Sequence, residues 1–141
     1  MRASTFRRWI LRARNAAVVV DLVRDRVPAL HREKPTVDGI RIDPADEILV
    51  NKLSALMSRS ELRDLIDVRA LEAAGFPVDT AMLEGTVKDA SLTPAQLGWV
   101  LSQITIGESV RLPGGVSSSD VREYLARLVA RLGRMALPPK P

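Results

Sequence analysis

The residues best suited to chemistry are a lysine and two aspartates on two neighbouring predicted helices. Lys52 lies in the middle of the first helix, and the second opens with R-D-x-x-D, which contains Arg63, Asp64 and Asp67. The two aspartates are three residues apart, so they share one face of their helix. Carboxylates placed in this way can hold a divalent cation or pair with a lysine. The group therefore solvates a surface, closes two helices with ion pairs, or lines a site for a negatively charged ligand.

Asp21 is the second candidate, because it is the only acid in the β-branched run V-V-V-D-L-V. An unpaired carboxylate is costly to bury, so Asp21 must face water, pair with a cation such as Arg24, or bind a metal. The chain has no cysteine, and His31 is its only histidine. Thiolate zinc sites, cysteine nucleophiles and histidine metal clusters are therefore excluded. We interpret His31 as a loop residue, and the lack of cysteine fits a reducing, cytoplasmic compartment.

The positive charge of the chain is concentrated near its N-terminus. Residues 1–34 carry nine Lys or Arg and three Asp or Glu, a net charge of +6, whereas the whole chain of 141 residues has a net charge of +4. Such a basic segment indicates phosphate contact with nucleic acid or nucleotide, or else a solvated terminus. The candidate nucleic-acid contacts are Arg7, Arg8, Arg12 and Arg14. No apolar run approaches the length of a membrane span, so no membrane partner is expected.

Residues 1–42 are predicted to form a basic segment that contains one or two strands. Residues 6–13 are predicted as a short basic helix, residues 17–24 as a strand, and residues 37–42 as a second short strand that Gly39 weakens. Most positions of the 17–24 strand are apolar, as in a strand buried on both faces. This strand needs pairing neighbours that the rest of the sequence does not obviously supply.

Residues 43–136 are predicted to form about five helices, followed by a disordered tail over residues 137–141. Asp43 is the predicted N-cap of the first helix, and Ser60 that of the second, which Gly75 ends. Thr93, followed by Pro94, is the predicted cap of the fourth helix, and Ser117 to Ser119 cap the fifth. The predicted helices span residues 43–57, 61–74, 79–88, 93–103 and 117–136. The fold class is therefore α+β and mostly α, with N-terminal strands before a helical bundle in one domain.

Residues 34–67 also carry a longer pattern: K-P-x-V-D-G-I-R-I-D-P-x-D-E-I-L-x-N-K-L-x-A-L-x-x-R-x-E-x-R-D-L-x-D. This run resembles the distal part of the AbiEii/AbiGii-type nucleotidyltransferase toxins of bacterial abortive-infection and type IV toxin–antitoxin systems. That family belongs to the polymerase-β-like nucleotidyltransferase superfamily. The resemblance is best over residues 18–75 and extends towards residue 136. It implies that the N-terminal strands are a remnant of a nucleotidyltransferase sheet.

The resemblance implies a role for each of the charged residues. Lys52 would contact nucleotide phosphates, and Asp64 would be the later catalytic aspartate, supported by Arg63 and Asp67. Asp21 would be a metal-binding carboxylate on a sheet strand. The implied cofactor is Mg²⁺, and the implied reaction transfers NMP from an NTP to an RNA or protein acceptor, tRNA included. An antitoxin protein is a further implied partner.

The family's first motif, a Gly-rich turn followed by D-x-D, should precede Asp21. Residues 1–20 contain neither Gly nor Asp, and Gly114-Gly115 reads as a turn. We therefore expect a truncated, split or degenerate member with little or no transferase activity of its own. The alternative is a non-catalytic helical module that binds RNA or protein, in which Lys52 and Asp64 form a structural ion pair. A third possibility is an inert gene remnant that aggregates through its strand edge.

Overall fold

The computed structural model describes residues 6–24 and 28–137, in which two antiparallel β-hairpins precede five α-helices. The strands are β1 (Phe6–Ala13), β2 (Ala16–Val23), β3 (Thr36–Val37) and β4 (Ile40–Arg41). The helices are α1 (Ala45–Arg59), α2 (Leu62–Ala73), α3 (Val78–Lys88), α4 (Pro94–Ser102) and α5 (Ser118–Ala136), with a 3-10 turn at Pro113–Gly115. The predicted α+β class, mostly α with five helices after N-terminal strands, is confirmed.

The first hairpin corrects one prediction and confirms another. The helix predicted over residues 6–13 is wrong, because these residues form β1 and pair with β2 from Phe6↔Val23 to Ala13↔Ala16. Aromatic and β-branched side chains suit this extended pairing, which also satisfies backbone groups that β2 would otherwise leave unpaired. The strand predicted over residues 17–24 is confirmed as β2. Its expected burial on both faces is wrong, since only Val20 is even partly buried.

The second hairpin replaces the single strand predicted over residues 37–42. β3 and β4 are only two residues long each, and Asp38-Gly39 joins them. Both turn residues have positive φ, 50° at Asp38 and 78° at Gly39. Asp-Gly is a favoured sequence for a two-residue hairpin turn of this kind. Gly39 therefore forms the turn and does not interrupt a strand.

Two predicted helix caps are wrong, and three predicted helix-end signals are confirmed. The N-cap of α1 is Pro44 rather than Asp43, whose carboxylate binds Lys34 instead. Ser60 is the left-handed C-cap of α1, with φ 50°, and Glu61 is the N-cap of α2. The confirmed residues are Gly75, which follows α2 with φ 98°, and the side-chain caps Thr93 of α4 and Ser117 of α5.

The helices enclose an aliphatic core around α1, which packs against α2, α3 and α4, while α5 packs mainly against α4 and also against α2. The buried side of α5 includes an aliphatic stripe at helical spacing. Its members are Val121, Leu125, Leu128 and Leu132, with Val129 and Met135 partly buried. Each fully buried aliphatic side chain contributes roughly 1.5–3 kcal/mol. Apart from Leu137, the predicted disordered tail lies outside the described residues.

The strands of the hairpin β1–β2 make their extensive contacts with each other and not with the helices. Within the described part of the chain, no helix combines the length and apolarity needed to cross a bilayer.

Candidate functional site

The structure brings Lys52, Asp64 and Asp67 together where α1 packs on α2. Lys52 Nζ lies 3.0 Å from Asp64 Oδ1 and 2.5 Å from Asp67 Oδ2. Lys52 comes from the middle of α1, and the two aspartates come from the first two turns of α2. The short connection through Ser60 turns the chain so that these segments meet. The junction predicted from the sequence is therefore formed.

Arg59 is a fourth member of this cluster, which the sequence analysis missed. Its guanidinium donates from Nε to Asp64 Oδ2 at 2.8 Å and from Nη2 to Asp64 Oδ1 at 3.1 Å. Together with Lys52, it supplies hydrogen bonds to both oxygens of a carboxylate that is completely buried. Arg59 lies in the last turn of α1, five residues before Asp64. A base that ends one helix and an acid that begins the next were the signal for this pair.

The hydrogen bonds of the cluster keep Asp64 and Lys52 charged. Burial by itself would raise the pKa of Asp64, but the hydrogen bonds from Arg59 and Lys52 outweigh burial and lower this pKa below its ordinary value. Burial likewise opposes the charge of Lys52, whereas hydrogen bonds to Asp67 and Asp64 raise its pKa above the ordinary value. Asp64 is therefore an ionised carboxylate whose hydrogen-bonding capacity is largely used within the protein.

Two predicted site residues lie elsewhere. Arg63 is exposed, and its Nη2 lies 3.6 Å from Glu61 Oε2. Asp21 accepts two hydrogen bonds from Arg8, at 2.7 Å and 2.8 Å, across the register pair Arg8↔Asp21 of the hairpin. Its cationic partner is thus Arg8 and not Arg24. Among the described residues, no hydrogen bond or ion pair joins Asp21 or Arg63 to Lys52 or Asp64.

A shallow cleft of about 320 Å³ opens beside the cluster, lined by Ile48, Lys52, Asp67, Ala70 and Leu71. A ligand in this cleft would meet Lys52 and Asp67, while Asp64 does not line it.

No group of three or more acids or histidines that could hold a metal ion occurs in residues 6–24 and 28–137. The carboxylates of Asp64 and Asp21 are each held by arginine. The described residues therefore do not fit the Mg²⁺ ions that nucleotidyl transfer requires.

A second polar cluster, also missed by the sequence analysis, surrounds Glu47 in α1. Lys88 Nζ at the end of α3 donates to Glu47 Oε1 at 3.1 Å and to Asn51 Oδ1 at 2.7 Å. The backbone N–H groups of Leu30 and His31 also donate to the Glu47 carboxylate, at 3.3 Å and 3.4 Å. Burial would raise the pKa of Glu47, but Lys88 and these N–H groups lower it.

These contacts fix the segment before β3 onto α1 and α3. His31 lies in this segment, as predicted for a loop residue, with its Nε2 2.7 Å from Asp46 Oδ2. Because Glu47 and Lys88 are both almost fully buried, we assign this cluster a structural role.

The hairpin β1–β2 carries three arginines whose charge the described residues leave unneutralised. Arg7, Arg12 and Arg14 are exposed, and their side chains have no ion-pair or hydrogen-bond partner among the described residues. Arg8, the other predicted nucleic-acid contact, is paired with Asp21. Trp9 is 41% exposed on the same strand. The hairpin therefore presents free guanidinium groups beside an exposed indole.

The comparisons with known proteins give no family for this chain. No protein-family model matches it, nor does any curated protein or solved structure. The resemblance of residues 34–67 to the nucleotidyltransferase toxins therefore stays a prediction from those residues alone.

Proposed function

We propose that this protein is a non-catalytic module that binds single-stranded RNA through the hairpin β1–β2. The observation that carries this proposal is the combination, on one exposed ribbon, of three unpaired arginines (Arg7, Arg12 and Arg14) with Trp9. Proteins that bind single strands combine cations along the phosphate backbone with aromatic side chains on which bases stack. A cytoplasmic location is part of the proposal, because RNA is the ligand.

The alternation of side chains along β1 divides the ribbon into two faces. Arg7, Trp9 and Leu11 lie on one face, and Arg8, Ile10 and Arg12 on the other. On the first face, the indole can stack on a base while the neighbouring guanidinium neutralises a phosphate. Aromatic side chains on the strands of an exposed sheet stack on RNA bases in this way in RNA-recognition modules.

Three cations of the helices are poorer candidates for RNA contact than the hairpin arginines, because buried carboxylates already bind them. Lys52 and Arg59 are engaged by Asp64, and Lys88 by Glu47. A cation paired with a buried carboxylate gains little from an RNA phosphate, because breaking that pair would leave the carboxylate buried and unpaired. The hairpin arginines require no such rearrangement, so they are the better phosphate contacts.

The test is fluorescence anisotropy with a labelled twenty-nucleotide oligouridine RNA, measured from low to physiological salt. The variant that replaces Arg7, Arg12 and Arg14 with glutamate should lose binding. In the wild type, the slope of log affinity against log salt should correspond to about −0.7 for each phosphate contacted. A matched control replaces three exposed arginines outside the hairpin with glutamate and should bind much better than the hairpin variant: Arg32, Arg41 and Arg111.

Stacking is tested separately by Trp9→Ala, which should weaken RNA binding by about 1–3 kcal/mol, or roughly 5- to 150-fold. Trp99→Ala is the matched control, since Trp99 is 68% exposed on α4, away from the hairpin. Equal weakening by both tryptophan variants, or by both triple-arginine variants, would contradict the assignment. Absence of RNA binding in the wild type would also contradict it and leave a protein partner for the hairpin.

A nucleotidyltransferase origin is a second candidate, because Lys52 and Asp64 lie together and Lys52 also lines a cleft. Under this candidate an intact toxin would transfer NMP from NTP to an RNA or protein acceptor, and an antitoxin would bind it. We expect little or no transfer by this chain alone. Incubation with Mg²⁺, labelled NTPs and tRNA tests this expectation. Transfer by the wild type that Asp64→Ala abolishes would overturn the non-catalytic assignment.

A further inference from the structure

A second cationic surface lies on α5, where it faces α2. A cleft of about 330 Å³ is lined there by Glu72, Tyr124, Arg127, Leu128, Ala130, Arg131 and Arg134. Three arginines and a single carboxylate are among these lining residues. The arginines are spaced by four and three residues, so they form one stripe along the helix. The side chains that line this cleft therefore carry more positive than negative charge.

One of the three arginines is held in place by α2. Arg131 Nη2 lies 2.6 Å from Glu72 Oε1, and Glu72 Oε2 accepts a hydrogen bond of 2.9 Å from the Tyr124 hydroxyl. Arg131 Nε is buried and makes no hydrogen bond, although Asp79 Oδ1 lies 3.3 Å away. A buried donor without a hydrogen bond is unusual and calls for an explanation. The guanidinium of Arg131 is thus positioned but incompletely satisfied.

The other two arginines are available to a ligand. Within residues 6–24 and 28–137, Arg127 pairs only with Glu123, one turn earlier on the exposed surface of α5, and such a pair contributes little to stability. The side chain of Arg134 has no hydrogen bond or ion pair among the described residues. The helix dipole favours a cation at position 134, in the last turn, but does not account for Arg127 more than two turns from the helix end.

We propose that this cleft binds a phosphate group through Arg127, Arg131 and Arg134. The planar guanidinium matches the oxygens of a phosphate and can donate two parallel hydrogen bonds to it. In this arrangement Arg131 is the cation held in position by Glu72, and Arg127 and Arg134 approach the ligand from either side along the helix. The phosphate comes either from a small phosphate compound or from an RNA backbone. The site is independent of the hairpin, so each can fail without the other.

The experiment uses the full chain and inorganic phosphate at constant ionic strength, followed by nitrogen-15 NMR of the arginine Nε–H groups. Saturable shifts are expected for the three cleft arginines. The Arg127→Gln, Arg134→Gln double variant should bind phosphate at least tenfold more weakly. Arg131 is left intact because it anchors Glu72. The matched control, Arg41→Gln with Arg111→Gln, removes two exposed arginines outside the cleft and should bind as the wild type does.

A second titration distinguishes the two sources of phosphate. If a short oligouridine RNA displaces phosphate from the wild type, and the Arg127→Gln, Arg134→Gln variant also loses RNA affinity, the ligand is an RNA backbone. If phosphate binds saturably and RNA does not displace it, the ligand is a small phosphate compound. Shifts that stay linear with phosphate concentration would overturn the site, and so would wild-type binding by the double variant. The hairpin variants provide no test of this site.

Discussion

Replacing Asp64 with alanine should destabilise the protein by about 3–4 kcal/mol. The Asp64 carboxylate is completely buried and accepts three charge-assisted hydrogen bonds, two from Arg59 and one from Lys52. Hydrogen bonds to charged groups contribute roughly 1.5–3 kcal/mol each, and removing one partner from a buried pair costs about 3–5 kcal/mol. We expect the lower half of that range, because the side chains of Lys52 and Arg59 are 27% and 50% exposed and can recover hydrogen bonds to water.

Asp67→Ala is the matched control on the same helix and with the same lysine. Asp67 lies closer to Lys52 Nζ than Asp64 does, at 2.5 Å against 3.0 Å, but its side chain is 41% exposed. An exposed ion pair contributes about 0–1 kcal/mol, so this variant should lose no more than that. The two variants together separate burial from distance as the cause of stabilisation.

The assay is urea denaturation at neutral pH followed by circular dichroism at 222 nm, which reports the helical bundle. Asp64→Asn keeps the side-chain shape without the charge and should fall between the wild type and Asp64→Ala. A double-mutant cycle with Lys52→Met should give a coupling of about 0.5–3 kcal/mol. A loss below about 1 kcal/mol for Asp64→Ala, or an equal loss for Asp67→Ala, would refute the view that buried ion pairing holds α1 and α2 together.

Three further predictions concern the helical bundle. Gly85→Ala should destabilise the protein by about 1–3 kcal/mol, because a Cβ at this position would lie 2.5 Å from Leu92 Cδ2. Gly133→Ala should stabilise α5 by about 0.5–1 kcal/mol, because a Cβ there would have no other atom within 4 Å. Thermal unfolding of the two variants checks both predictions. Glu47→Gln should cost about 1–3 kcal/mol in urea denaturation by leaving a buried lysine poorly paired, and a neutral effect would contradict the structural role of that cluster. Since the pKa values of Glu47 and Asp64 are both lowered on folding, their stabilisation is complete above the ordinary carboxyl pKa of about 4 and is lost as pH falls through the folded values. Denaturation between pH 6 and pH 2 should show this loss, and Asp64→Asn should make it shallower.

Local signals explain why most helix ends were predictable. Thr93 and Ser117 accept a hydrogen bond from a backbone N–H of the helix that follows, and Gly75 adopts the left-handed conformation after α2. Each of these interactions involves residues within a few positions of one another, so the sequence alone contains them. The convergence of Lys52 on Asp64 was predictable for a similar reason, since only a short turn connects their helices.

The remaining features depend on pairing between distant or competing partners. Residues 6–13 have an apolar spacing that fits a short helix or a strand, and pairing with β2 decides between them. Glu47 and Lys88 are 41 positions apart, and they meet only because α3 packs on α1. Asp43 is a good N-cap by residue type, but Lys34 competes successfully for its carboxylate. These outcomes are set by tertiary contacts that residue type and spacing do not specify.

The isolation of the hairpin β1–β2 from the bundle has a consequence for its affinity. Two strands that pair only with each other are marginally stable in water, so their amide protons should exchange by local opening, much faster than those in the middle of α1. Under the proposed function, RNA would bear the entropic cost of holding the hairpin in one shape. A covalent link between the two strands would remove part of this cost and tighten binding without adding a single contact to the ligand.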